Sequence, residues 1–285
     1  MPDAPAPFPY HTTDALGRAV SLAQPPERIV SLVPSQTELL AALDVGERVV
    51  GITRFCERPE HWREEKILVG GTKQVDPEAV AACRPDLIIA NKEENTPDDV
   101  SALAEEAPVY VTDVATVPAA CAMMRAVGRL VDRAAAADRL AARVADGFAA
   151  LDVQDTLRAA YFIWRDPWMT VGGDTFIHDV MQRAGLRNVF ADTTRYPEVT
   201  LDAVRAAAPD VVLCSSEPFP FHQKPRFTED MRDAVEAPVH VVDGQLFSWY
   251  GARLLHAPSY LQALRAALAA GNAPRLLLHD VPQSA

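Results

Sequence analysis

The 285-residue sequence predicts an α/β protein of two Rossmann-like lobes with parallel sheets, joined by one long backbone helix. Three observations carry that reading. A helix–strand unit occurs twice, short apolar runs alternate with helical stretches, and an unbroken helical pattern separates the two copies. The first copy runs from Asp76 to Ala90 and returns 124 positions later as Thr200 to Cys214. Ala79/Ala203, Val80/Val204, Ala82/Ala206, Pro85/Pro209 and Asp86/Asp210 are identical, and Glu93 falls on Glu217 just beyond. In each copy a polar N-cap candidate opens a short helix with a carboxylate in its first turn. Pro-Asp then breaks the helix, and an apolar run of strand length follows.

The remaining elements fit around this repeat. After a Pro-rich start expected to be mobile, Thr12 to Leu22 reads as a hairpin around Asp14-Ala15-Leu16-Gly17. Arg28 to Val33 is a buried strand ending at Pro34. Ser35-Gln36-Thr37-Glu38 has the spacing of a capping box, with Leu39, Leu40 and Leu43 on one helical face and Gly46 as the stop. Val49 to Ile52 is the next strand, and the first lobe closes near Val111 (lobe 28–115). From Pro118 to Leu151 apolar residues recur at helical spacing without a strong stop. At ~1.5 Å per residue this connecting helix, placed over 116–151, would be a rod of about 50 Å. The second lobe, 152–270, repeats the plan. It has a strand at Ala160 to Trp164, a helix from Thr175 to Ala184 ended by Gly185, the repeated unit, and a strand at Val239 to Asp243. Alternating strands and helices imply parallel sheets, whose ligands bind beyond the carboxyl ends of the strands.

Bulk composition removes several function classes. A formal charge of -12 argues against a phosphate backbone or an anionic membrane as partner. No apolar run approaches the ~18 residues of a membrane span. The opening residues have neither a basic n-region nor an apolar h-region. The expectation is therefore a cytoplasmic protein, or an extracytoplasmic one (periplasm or cell surface) whose export signal has been trimmed. Cys56, Cys83, Cys121 and Cys214 lack CxxC spacing and suggest no disulfide framework.

Candidate site residues follow the strands. The first lobe offers Phe55, Cys56, Trp62 and Glu93, and the second offers Trp168, Glu217, Phe219, Phe221, Trp249 and Tyr250. All four tryptophans, Trp164 included, fall in or beside these loops. Large rings at strand ends suit a flat, apolar or bulky ligand, although plugging the sheet ends would also account for them. Glu93 and Glu217 form a conceivable carboxylate pair, yet common descent of the two lobes explains their equivalence. No GxSxG, Walker A, HExxH or dinucleotide fingerprint occurs, so no catalytic residue is assigned. Cys56, Glu57 and His61 cluster locally, but a zinc site needs about three or four ligands at fixed spacing, so no metal ligand is assigned either. Glu78 and Asp202 open their helices where the helix dipole favours a carboxylate, and that is locally sufficient. As an equivalent pair they would also serve as docking knobs for a partner with two basic pockets.

The run Arg28 to Leu40, the strand Val49 to Thr53, Arg84 to Ala90 and the lone helical spine resemble the class III, helical-backbone substrate-binding proteins of ABC importers. This is the family that binds cobalamin and iron chelates. The resemblance spans Ile29 to Leu268. Gly70-Gly71-Thr72-Lys73, Ala90 to Asn95, Ser215 to Phe221 and Phe247 to Gly251 look like its cobalamin-binding subgroup. The resemblance implies a corrinoid or other metal chelate held as ligand in the interlobe cleft, with Phe55 on an aromatic contact position. It implies an ABC permease as partner, docked through Glu78 and Asp202. Gln245 and Trp249 depart from it, standing where the B12 binder has an acid and an arginine.

The reading that results is a non-enzymatic, monomeric solute-binding protein that delivers a metal chelate to an ABC importer. No catalytic cofactor is expected. The alternative on the same scaffold is a cytoplasmic enzyme or metallochaperone acting on a tetrapyrrole or metal cofactor, with Cys56 and Glu93 functional. A third is an interaction module with an empty cleft.

Overall fold

The computed structural model describes residues 8–153 and 155–271, so most of the Pro-rich start lies outside the described residues. The chain divides into two compact units. Residues 8–114, Pro118–Ala145 and Trp249–Arg253 form the first; Ala115–Val117, Asp146–Ser248 and the residues from Leu254 onward form the second.

The first unit opens with the expected hairpin, β1 (Tyr10–Thr13) against β2 (Ala19–Leu22). Then follow β3 (Ile29–Ser31), α1 (Pro34–Ala42), β4 (Val49–Ile52), α2 (Trp62–Glu65), β5 (Ile67–Leu68), α3 (Pro77–Cys83), β6 (Leu87–Asn91), α4 (Pro97–Leu103) and β7 (Val109–Thr112). Its five-stranded sheet has the order β5-β4-β3-β6-β7. Every pairing is parallel. Two helices, α5 (Val117–Leu130) and α6 (Ala134–Ala149), come next.

The second unit holds β8 (Leu157–Trp164), β9 (Met169–Thr170), α7 (Phe176–Arg183), β10 (Leu186–Asn188), α8 (Leu201–Ala206), β11 (Val211–Ser215), α9 (Pro225–Ala234), β12 (Val239–Val242), α10 (Gln245–Ser248) and α11 (Ala257–Ala269). Its sheet runs β10-β8-β11-β12 in parallel, with β9 antiparallel on β8. The repeated strands β6 and β11 are buried throughout, as strands covered on both faces must be.

The duplicated Pro-Asp proves to be a clamp rather than a simple helix breaker. Asp86 accepts from the amides of Glu27 (2.8 Å) and Arg28 (2.9 Å), and Asp210 accepts from the amide of Arg158 (2.8 Å). Return bonds run from Asp86 N to Arg28 O (2.9 Å) and from Asp210 N to Arg158 O (2.8 Å). Each arginine in turn gives its Nε to the helix just ended, Arg28 to Cys83 O (2.7 Å) and Arg158 to Ala208 O (3.0 Å). Both helices end on a left-handed residue at the same repeat position, Arg84 and Ala208, each with φ 45°. The clamp ties the start of the central strand to the start of its neighbour and satisfies helix carbonyls that would otherwise be orphaned.

Three expectations are corrected. The capping box does not form: Pro34 begins α1, Val33 stands at the cap position without a side-chain bond, and Glu38 turns to Arg253 instead. An ion pair to a buried guanidinium outcompetes a bond to one amide. The same helix ends before Gly46, because Asp44 takes the left-handed conformation (φ 56°) and Gly46 opens a 3-10 turn. The single rod is the third correction. Leu130 and Ala134 are separated by a reversal at Asp132 (φ 58°), and α5 and α6 run back along each other. Cys121 Sγ meets Ala141 O at 3.5 Å, Arg125 pairs with Asp138 at 3.4 Å, and Gly128 is so close to Ala137 that a Cβ would collide with it. Gly128 therefore allows close helix approach.

Replacing Asp86 with alanine removes two charge-assisted bonds to backbone amides and leaves those donors short of a partner. A loss of about 1–3 kcal/mol of stability is expected, read as a lower urea midpoint. A midpoint unchanged from wild type would show that the clamp does not hold the strands.

Candidate ligand-binding site

The loops leaving the carboxyl ends of both sheets are built on one duplicated turn. At the end of β6, Asn91 Oδ1 accepts from the amides of Glu93 (2.8 Å) and Glu94 (3.2 Å). At the end of β11, Ser215 Oγ accepts from the amide of Glu217 (3.4 Å). Asn91 and Ser215 occupy the same repeat position, and each holds the glutamate that follows it.

In the first unit a buried polar ladder extends this turn. Asn95 accepts from Asn91 N (2.8 Å) and donates to Thr72 O (2.9 Å), while Asn91 Nδ2 donates to Thr112 O and Oγ1, both at 3.1 Å. Gln36 Nε2 also donates to Thr112 Oγ1. Four elements are thereby tied at one end of the sheet. Lys73 donates to Glu93 O across the same loops. Burial pushes the carboxyl of Glu94 above its ordinary value; Lys73 opposes that shift and Glu93 adds to it. Such a carboxylate costs stability and marks the loop as a functional candidate.

Beside this ladder, Phe55 follows β4 with 49% of its surface exposed. The Arg54 guanidinium lies 5.0 Å from its ring centroid, and a Cβ on Gly71 would come within 3.1 Å of the ring. Its neighbour Cys56 faces the other way and is fully buried. Its Sγ lies 3.1 Å from Thr37 Oγ1 and 3.2 Å from Thr53 Oγ1. Burial pushes this thiol up, against the two hydroxyls. Cys56 is thus a core residue, where the sequence admitted a ligand role. Trp62 is a second correction. It is buried beneath Lys66 (5.2 Å to its ring) and so close to Gly46 that a Cβ there would sit 2.6 Å away.

In the second unit the aromatic candidates assemble into one cluster. Trp168 stacks parallel on Phe221 (6.0 Å, 6°), Phe221 meets Phe219 at 4.7 Å, and Phe219 meets Phe227 at 5.4 Å. Arg165 and Lys224 cap this cluster over Trp168 (4.7 Å) and Phe219 (4.5 Å). Trp168, Phe219 and Phe221 are all buried, so packing within the unit accounts for them. Trp164, at the end of β8, is the exposed ring of the group. Glu217 is half-buried and accepts from Ser248 Oγ at 2.8 Å.

Trp249 and Tyr250 lie with the first unit, in the segment that ends at Arg253. Both are buried, and Arg253 stands 5.6 Å over the Trp249 ring while pairing with Glu38. Glu78 and Asp202 are exposed on their helices as expected; Asp202 also pairs with Arg205 at 2.6 Å. Among the described residues no three His, Cys, Asp or Glu side chains gather as a metal site. No helix among them is long and apolar enough to cross a membrane. The sequence could suggest Trp164 only as one ring among four, because exposure leaves no mark on residue type.

Two parallel sheets with ligand-type loops at their carboxyl ends define the fold class of a bilobal binding protein. The chain belongs to the periplasmic binding protein family, which matches residues 29–237. A cobalamin-binding protein of Halobacterium salinarum is 29% identical over 216 residues, covering 72% of this chain. This chain spans 58% of that relative's length. The periplasmic vitamin B12-binding protein of Vibrio cholerae superposes with a TM-score of 0.75 at 20% identity, over 86% of this chain and 98% of that one. A periplasmic heme-binding protein of Pseudomonas aeruginosa gives 0.71 at 24% identity, over 87% and 95%.

Two outcomes test this geometry. Glu94→Gln should raise the urea midpoint at pH 8. The folded-state acid has a raised pKa, so its penalty is present above that value and vanishes once both states are protonated. The advantage should therefore shrink as pH falls to about 4; an advantage that grows on acidification would refute the burial argument. All four cysteines are buried free thiols, and burial pushes Cys214 up to about 12. An aromatic disulfide reagent at pH 8 should find little thiol in the native protein and all four in guanidinium, whereas rapid native labelling of Cys56 would place it at the surface.

Proposed function

We propose that this chain is the solute-binding component of an ABC importer, acting outside the cytoplasm, and that it captures a corrinoid or related metal chelate on the strand-end loops of its two units. The observation that carries the reading is Phe55. It is a half-exposed ring at the carboxyl end of a parallel strand, beside a loop whose every turn is fixed by buried hydrogen bonds. Preorganisation of this kind lowers the entropy cost of binding. Covering ~200 Å² of a macrocycle's apolar face at ~25 cal/mol per Å² supplies about 5 kcal/mol, enough with a few polar contacts for submicromolar affinity. Family membership and cobalamin- and heme-binding relatives support the same reading. Glu78 and Asp202 then present exposed carboxylates to a permease. The rival enzyme or metallochaperone needs a reachable Cys56, and that thiol is buried.

Calorimetric titration of the full chain with cyanocobalamin and with haemin is the direct test: one of them should bind below micromolar, and Phe55→Ala should weaken it about tenfold. Reversing both acids (Glu78→Lys with Asp202→Lys) should leave that affinity unchanged and abolish association with the cognate permease in proteoliposomes. Undiminished association of the double variant would remove the docking role.

A further inference from the structure

Resting on that reading, we infer that Trp164 is the residue on which the flat face of the ligand stacks in the second unit, in place of the tryptophans that the sequence favoured. The four indoles differ sharply in what surrounds them. Trp62, Trp168 and Trp249 are 5%, 6% and 6% exposed, whereas Trp164 is 39% exposed.

Trp168 is occupied by its own unit. Phe221 stacks parallel to it, Phe162 meets it edge-on at 5.5 Å, and the Arg165 guanidinium lies 4.7 Å from its centroid. Stacking a macrocycle on that ring would first require this cluster to come apart. Trp249 and Trp62 carry their own cations, Arg253 at 5.6 Å and Lys66 at 5.2 Å. Trp164 makes one aromatic contact among the described residues, edge-on to Phe219 at 5.6 Å and 73°. An edge-on contact leaves the π-face of one partner available to a further ring.

Position strengthens the argument. Trp164 is the last residue of β8, which lies inside its sheet with β10 and β11 as parallel neighbours, and ligands of such sheets sit beyond the carboxyl ends of the strands. The ring is also held firmly. Phe219 behind it packs on Phe221 and Phe227, and Lys224 closes over Phe219 at 4.5 Å. An exposed indole backed by a fixed aromatic stack is a preorganised platform, with little side-chain entropy left to lose on binding. The ligand class that fits is a chelate with an extended flat ring system, a corrin or porphyrin, and not an open-chain chelator without such a face.

The experiment titrates cyanocobalamin and haemin separately into ¹⁵N-labelled full-length protein and follows the four indole N–H signals, with Trp164→Phe assigning one of them. Calorimetry on Trp164→Ala and Trp168→Phe accompanies it. The expected result is that the Trp164 signal moves most, and that Trp164→Ala weakens binding at least tenfold while Trp168→Phe stays within about threefold. Exposure makes Trp164→Ala a benign substitution for folding, which unchanged thermal melting would verify. A bound complex in which that signal stays put and Trp164→Ala binds like wild type overturns the assignment and leaves chelate capture standing. Binding of neither probe by the wild type overturns both.

Discussion

The placement of every candidate side chain depends on the pair of aspartate clamps. A parallel sheet has no tight turns to set its register, so something must fix where adjacent strands begin. Asp86 and Asp210 do so by bonding to backbone amides at the start of β3 and β8 while their own amides bond back. Once the starts are set, β6 and β11 end at equivalent residues, Asn91 and Ser215. The next turn then brings Glu93 and Glu217 to equivalent places. The repeat in the sequence is thus the imprint of a register device, and the spacing of the loop residues follows from it.

Much of the fold was legible for that reason. Strand–helix alternation, the N-caps Asp76 and Thr200, and the hairpin at Asp14 all rest on interactions local in sequence, which residue type reports well. The helical hairpin was not legible. Hydrophobic periodicity continues through Leu130 and Val131 into Ala137 and Ala141, and the reversal needs only one left-handed residue, Asp132, carrying no glycine or proline. The failed capping box has a similar origin: Glu38 has a partner 215 positions away, and no local pattern discloses Arg253.

The site was legible only in outline. Sequence placed the aromatic residues near strand ends, and they are there, but it could not separate rings that pack on one another from rings that face outward. Trp168 and Trp164 are four positions apart on the same loop and strand end, with burial of 6% and 39%. That difference is decided by Phe219, Phe221 and Phe227, which come from a different part of the chain. Burial also reassigns Cys56. Flanked by polar residues it resembles a reactive thiol, yet two threonine hydroxyls and complete enclosure make it a small core residue.

The two units, though built alike, have diverged in the chemistry they offer. The first spends buried asparagines and a threonine on holding a loop that carries Glu93 and the costly Glu94, with Phe55 alone beside it. The second holds its loop through a packed aromatic stack capped by Arg165 and Lys224. A symmetric ligand would have favoured matching surfaces, since each copy began from the same turn. One polar, carboxylate-bearing face and one aromatic, cation-rimmed face instead suit a guest whose two sides differ. Corrinoids have that property, with amide-bearing edges and unlike axial faces, whereas a porphyrin is nearly equivalent on its two faces. On this argument the asymmetry between Glu94 and Trp164, more than the count of aromatic rings, favours a corrinoid as the ligand.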